Sequence, residues 1–218
     1  MDEIFAENEL FSGLEKKDRD IIMAVAAKKS FPKNTVILSQ GDDTHSLYIV
    51  TSGKVKVNIV DENGKEIILS ILGPGDYFGE MTAIEEGASR SASVVTREKC
   101  EVLVLAKKDF RRIISDNPDI VFGLLRGANE RIRKANRKIE SLALMDVYGR
   151  VARLFMQLAV PDGDKLVIQE KLTHQDIANM VGSSREMVSR VMKELTIGNY
   201  IGVTQKIIEI NGKLPYSW

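Results

Sequence analysis

From about residue 30 to 105, short apolar segments rich in β-branched and aromatic residues are interrupted by turn signals, with Lys54–Val60 alternating polar and apolar, and beyond residue 107 the apolar spacing becomes helical. The first 29 residues read as short helices. Leu10, Phe11 and Leu14 fall on one side of a turn, and Ile21, Ile22 and Val25 continue a helix-like spacing. The next stretch reads as short strands: Thr35–Leu38, Leu47–Val50, Lys54–Val60, Glu66–Leu72, Ser91–Val95 and Glu101–Leu105. Turn signals separate several of them, among them Gln40-Gly41-Asp42-Asp43, Ser52-Gly53, Asp61-Glu62-Asn63-Gly64 and Gly73-Pro74-Gly75-Asp76. Strands this short and this regularly spaced predict an all-β sandwich or barrel.

Past Lys107 the spacing predicts helices. Asp109–Ser115 is one short helix. Asn117-Pro118-Asp119 is a start signal, with Asn117 as a cap and Pro118 in the first turn. A long helix follows to about Ala143. Its apolar positions, Val121, Leu124, Leu125, Ala128, Ile132, Ala135, Ile139 and Leu142, make one narrow stripe. Such a stripe suits a coiled-coil seam between two copies; packing against its own domain is the alternative. Asp146 is placed to cap a helix over Tyr148–Leu158. Pro161-Asp162-Gly163-Asp164 reads as a turn and Leu166–Ile168 as a strand. Two helices, about Thr173–Met180 and Ser184–Ile197, precede a hairpin of Ile201–Val203 and Ile207–Ile210. The implied division is a first domain over residues 1–116, the long helix over 117–144 and a last domain over 145–218.

The 218 residues allow one large domain or two small ones. Basic and acidic residues balance at 31 each, so any nucleic-acid contact must come from a local patch. No apolar run approaches the ~18 residues of a membrane span, and Met1-Asp2-Glu3-Ile4-Phe5 lacks the basic start of a signal peptide. A cytoplasmic protein without membrane contact is expected. The single cysteine, Cys100, excludes an internal disulfide and a cysteine-rich zinc site, and also an iron–sulfur cluster built on several thiolates. Followed by Val102–Leu105, it reads as a core residue. There is no nucleophile–base set, metal cluster or Walker loop, so neither an enzyme nor a metal protein is expected.

The segment from Thr173 to Leu195 carries the most chemistry. Ile177, Ala178, Val181, Val188, Val191 and Leu195 can form one shared core, and Gly182 sits where a tight turn needs a positive φ. Ser183 or Ser184 can cap the second helix. This is a helix pair with a short glycine-containing turn. The second helix exposes Arg185, Glu186, Ser189 and Arg190 near its N-terminal end, the end that approaches base edges in such motifs. Arginine can fork onto guanine O6 and N7, and glutamate can accept from cytosine N4. Thr173, Gln175, Ser184 and Lys193 are placed for flanking DNA contacts, phosphates above all. His174 is within reach of a phosphate, although a lone surface histidine is more often inert. A purely structural helical hairpin is the plainer alternative.

Motifs in both halves resemble the cyclic-AMP receptor protein and FNR superfamily of bacterial transcription regulators over about residues 8–210. The first half contributes Gln40-Gly41-Asp42, Leu47–Gly53 and Gly73-Pro74-Gly75-Asp76-Tyr77-Phe78-Gly79-Glu80; the second contributes Val181–Arg190. The resemblance implies an α+β protein: an N-terminal cyclic-nucleotide-binding β-roll, a long dimerisation helix and a C-terminal winged helix-turn-helix. It also implies that Phe78–Ala92 is a phosphate-binding cassette. There Gly79 admits the ligand to the backbone, Glu80 accepts from the ribose 2′-hydroxyl, Arg90 pairs with the cyclic phosphate and Ser91 donates to a phosphate oxygen.

In cyclic-AMP-binding members a threonine and a serine on the long helix contact the adenine across the dimer. The matching positions look like Ala135 and Asn136. Ala135 lacks a hydroxyl, and Asn136 offers both a donor and an acceptor. Cyclic AMP is therefore the first expectation as allosteric ligand and cyclic GMP the competitor. The implied partners are double-stranded DNA, read as two-fold symmetric half-sites like TGTGA, a second copy of the chain, and RNA polymerase. Two alternatives stay open: the same scaffold acting without ligand or with another effector, and a nucleotide-binding subunit that acts on a protein.

Overall fold

The computed structural model describes residues 16–163, 165–212 and 214. The expected helical turn at Leu10, Phe11 and Leu14 lies outside them. The chain divides into two compact units, the first ending at Ile132 and the second beginning at Arg133.

The first unit contains helix α1 (Lys16–Val25), strands β1 (Ala27–Phe31), β2 (Val36–Leu38), β3 (Leu47–Ser52), β4 (Val55–Val60), β5 (Glu66–Leu72), β6 (Tyr77–Phe78), helix α2 (Glu80–Ile84), β7 (Ser93–Thr96), β8 (Cys100–Leu105) and α3 (Lys107–Asp116). The strands form two four-stranded antiparallel sheets, ordered β1-β8-β3-β6 and β2-β7-β4-β5. One core, with Val50, Val55, Phe78, Val94 and Cys100, draws on both sheets. A second, with Ile22, Leu47, Ile49, Leu103, Leu105, Phe110 and Ile120, joins helices to the β1-β8-β3-β6 sheet. Fully burying such a side chain contributes roughly 1.5–3 kcal/mol.

Several local readings are corrected. Residues 27–29 are strand rather than helix, because Ala27–Phe31 pairs residue for residue with β8. This edge strand is exposed and carries Lys28 and Lys29, so its backbone pairing leaves no apolar alternation to read. In β4 a bulge between Val57 and Asn58 flips the faces. Asn58 is consequently buried, donating to Glu66 Oε1 at 2.6 Å, while Val60 is exposed. Asn117 does not cap the long helix with its side chain; its amide donates to the Ile113 carbonyl at the end of α3.

Helix α4 (Pro118–Leu144) starts at Pro118 and runs through the end of the first unit into the second. Of the predicted stripe, Leu124 is buried in the first unit's core. Val121, Leu125, Ile132 and Ile139 are 40–64% exposed.

The second unit continues with α5 (Val147–Leu158), β9 (Val160–Asp162), β10 (Lys165–Ile168), α6 (His174–Val181), α7 (Arg185–Ile197), β11 (Ile201–Thr204) and β12 (Ile207–Ile210). Asp146 caps α5, accepting from the Gly149 amide at 2.7 Å. The sheet order is β11-β12-β10-β9. Pro161 and Asp162 lie in β9 rather than in a turn. As the edge strand, β9 tolerates a residue without an N–H. No described helix is long and apolar enough to cross a membrane.

Candidate functional site

Strand β6 ends at Phe78, paired with Tyr48 and stacked on its ring at 5.0 Å. Gly79 follows with φ 82°. A Cβ there would lie 2.7 Å from both the Ser46 carbonyl oxygen and Arg90 Nη1, so only glycine fits. Glu80 then opens α2.

Arg90 is 4% exposed. Its Nε donates to Thr44 Oγ1 at 2.9 Å. Nη1 donates to the Gly79 carbonyl at 2.8 Å and to Thr82 Oγ1 at 2.6 Å. Nη2 donates to the Ser46 carbonyl at 2.9 Å. These bonds satisfy most of the guanidinium's five N–H groups and fix it beneath the cassette. Burial pulls its pKa below the ordinary arginine value; Tyr48, Glu80 and Asp42 oppose that shift. The backbone is pinned as well: the Arg90 amide donates to the Asp42 carbonyl, and the Gly41 amide to the Arg90 carbonyl.

The side chain of Glu80 is 12% exposed, and its Oε1 accepts from Arg131 Nη1 at 2.6 Å. Arg131 Nη2 donates to the Tyr77 carbonyl at 2.6 Å, and the guanidinium carbon lies 4.7 Å from the centre of the Tyr77 ring. Gly79, Glu80 and Arg90 therefore converge. Ser91 is exposed, its hydroxyl 3.7 Å from the Met81 sulfur. Ala135 and Asn136 are exposed on the part of α4 that belongs to the second unit. Sequence reasoning missed Arg131, Thr82 and Thr44. Arg131 sits one turn before Ala135, but on a helix crowded with arginine and lysine nothing singled it out.

In the second unit, Ile177, Ala178, Val181, Val188, Val191 and Leu195 are all buried and lock α6 against α7. Gly182 makes the turn at φ 64°. Thr173 starts α6 with a capping box. Its hydroxyl accepts from the Asp176 amide and donates to Asp176 Oδ2, and its own amide donates to that same oxygen. The Thr173 amide and hydroxyl are thus engaged in holding the helix start. Ser184 likewise caps α7, accepting from the Met187 amide at 3.2 Å. The Gln175 amide donates to Asn179 Oδ1 at 2.7 Å.

Arg185, Glu186, Arg190 and Lys193 are exposed along α7, while Ser189 is half-buried. The Glu186 carboxyl is held below the usual range by a hydrogen bond from its own amide, then by Ser184 and the Arg185 charge. It stays an acceptor. β11 and β12 form the wing, turned by Gln205 and Lys206 at φ 50° and 68°. Among the described residues no group of three His, Cys, Asp or Glu could hold a metal ion.

Comparison with known proteins identifies a domain family in each half of the chain. Residues 28–117 match the cyclic nucleotide-binding domain family, and residues 149–211 the Crp-like helix-turn-helix domain family. Over 189 residues the chain is 39% identical to the cAMP-activated global transcriptional regulator CRP of Salmonella typhimurium, covering 84% of this chain and 88% of that protein. It is 32% identical over 215 residues to the CRP-like cAMP-activated global transcriptional regulator of Mycobacterium tuberculosis, covering 97% and 96%. The solved structure of the c-di-GMP responsive global regulator CLP of Xanthomonas campestris matches with a TM-score of 0.80 at 25% identity, over 91% of this chain and all of that one. The chain belongs to the cyclic-AMP receptor protein and FNR family of DNA-binding transcription regulators and carries that family's cyclic-nucleotide-binding and helix-turn-helix domains.

Proposed function

We propose that a cyclic mononucleotide, cyclic AMP first, sets the DNA affinity of this regulator, and that two copies act together on a two-fold symmetric site. The observation that carries the effector reading is the buried guanidinium of Arg90 beside Gly79, where a Cβ has no room. A fixed, buried cation beneath the tight turn at Gly79 favours an anion held at the adjoining loop. In this reading Arg90 and Ser91 serve the phosphate, Gly79 gives access, Glu80 accepts from the ribose hydroxyl, and Ala135 and Asn136 face the base. Arg131 orients Glu80.

The exposed residues Val121, Leu125, Ile132 and Ile139 support a seam between two long helices. Arg185, Glu186 and Arg190 are the base readers. Gln175, Ser189 and Lys193 flank them, and Thr173 and Ser184 hold the two helix starts. Segment 183–193 carries three basic residues and one acidic, the local excess that the neutral chain lacks overall. DNA as partner puts the action in the cytoplasm, with RNA polymerase as the next partner.

The test is calorimetry of one purified sample against cyclic AMP, cyclic GMP and cyclic di-GMP. Anisotropy of a duplex with symmetric TGTGA half-sites follows, with and without the nucleotide that binds. Cyclic AMP is expected to bind and to raise duplex affinity. Identical duplex affinity in both conditions would sink the switch, because a ligand without differential affinity shifts nothing. Arg90→Ala should abolish nucleotide binding; retained binding would move the site elsewhere. Asn136 favours one second reading, cyclic GMP as effector, because its amide can serve either purine.

A further inference from the structure

His174 is the first residue of α6, and Ser189 lies on the second turn of α7. The imidazole Nδ1 and the Ser189 hydroxyl are 2.8 Å apart, and both side chains are half-buried. Ser189 follows Arg185 by four residues and Glu186 by three, so its hydroxyl shares their face one turn further along.

A serine hydroxyl has one proton and two lone pairs. The imidazole decides which of these faces outward. With its proton on Nε2, the ring accepts the serine proton at Nδ1. The hydroxyl then shows only lone pairs to an incoming partner, and Nε2–H is free to donate. With its proton on Nδ1, the ring donates to the serine oxygen and the hydroxyl proton turns outward instead. A phosphate oxygen at Nε2 would select the first arrangement, because the bond made by one ring nitrogen sets the state of the other. Lys206, at the wing turn, lines the same recess as His174.

We propose that His174 is a positioning and specificity residue of the DNA interface. Its Nε2–H meets a backbone phosphate while its Nδ1 holds Ser189 as a hydrogen-bond acceptor toward the major groove. One phosphate contact is thereby coupled to one base contact. The base class follows from the chemistry: an acceptor selects an exocyclic amino group, adenine N6 or cytosine N4, over guanine O6 or thymine O4. The proposal rests on the DNA-binding reading given above.

The test measures base preference by anisotropy, on the TGTGA duplex with each half-site position varied, in saturating cyclic AMP. His174→Ala and Ser189→Ala should each lose about fivefold preference for adenine or cytosine at the same position, the effect of roughly one hydrogen bond. The double variant should lose no more than either single one, since the two groups act as one unit. His174→Asn, whose amide can occupy the Nδ1 position, should restore the preference. Unchanged preference in His174→Ala, or additive losses, would overturn the proposal.

Arg185→Ala separates the two levels of inference. If it relaxes base choice while His174→Ala does not, the coupling fails and the DNA reading stands. If neither does, or if the unmodified chain binds no duplex, both fail. Should His174→Ala not fold, nitrogen NMR of the imidazole in the unmodified chain and in Ser189→Ala carries the test. The His174 Nδ1 resonance should move when the hydroxyl is removed, and an unmoved resonance overturns the proposal.

Discussion

Arg131 and Glu80 form an ion pair at 2.6 Å that ties α4 to the first residue of α2. The Glu80 side chain is mostly buried, so losing its partner leaves a carboxylate with poor solvation. Arg131→Met keeps the stem and removes the charge. It should lower stability by about 1 kcal/mol, at the modest end because Arg131 is itself partly exposed. Urea midpoints check this. The same variant should weaken cyclic AMP binding in calorimetry, because Glu80 is no longer held in place.

Gly79→Ala should be costlier. The substitution puts a side chain at φ 82° and presses it against the Ser46 carbonyl, part of the backbone that cannot swing aside. A loss of more than about 2 kcal/mol in thermal or urea unfolding is expected, together with loss of nucleotide binding. Unchanged stability would show that the loop can relax.

Thr173→Ala removes both hydroxyl bonds of the capping box. A stability loss of about 1 kcal/mol is expected. Duplex affinity should fall evenly across sequences, since the start of α6 is loosened and no base contact is lost. Thr173→Ser should restore both. A loss confined to one base position would mean that Thr173 reads sequence directly.

Cys100 is fully buried, with its thiol against the Lys54 and Glu98 carbonyls. Burial pushes its pKa up. The native protein should be silent to Ellman's reagent at pH 8 and react once unfolded. A raised thiol keeps its proton in the folded state. Its contribution is complete below the ordinary thiol value, about 8.5, and is lost as pH climbs through the raised native value. Cys100→Ser should therefore flatten the alkaline end of a stability–pH curve.

What the sequence made legible is what side chains write locally. Gly182 and Ser184 punctuate α6 and α7 because a positive φ and a cap demand particular residue types, whereas Thr173, read as a DNA contact, is the cap of α6. Most strands of the first unit's two sheets showed as short β-branched and aromatic runs between turn signals. β1 and β9 did not, since edge strands are held by backbone pairing and tolerate Lys28, Lys29 and Pro161. Asn58 was unreadable because a bulge reverses inside and outside within one strand. At the proposed effector site, Gly79, Glu80 and Arg90 fall within one short segment. Thr44 and Arg131 meet them only through tertiary folding, from 46 residues before Arg90 and 51 after Glu80.

The last turns of α4 are built into the second unit. Lys138 donates to the Met180 carbonyl at 2.6 Å, Arg153 reaches back to Glu140 and Ser141, and Leu142 lies against Gly182. This bears on how the chain is cut for separate expression. A fragment begun at residue 145 would strip these supports from the helix pair it was meant to isolate. One begun at Arg133 would keep them, and is the better starting point for crystallising this half with a duplex.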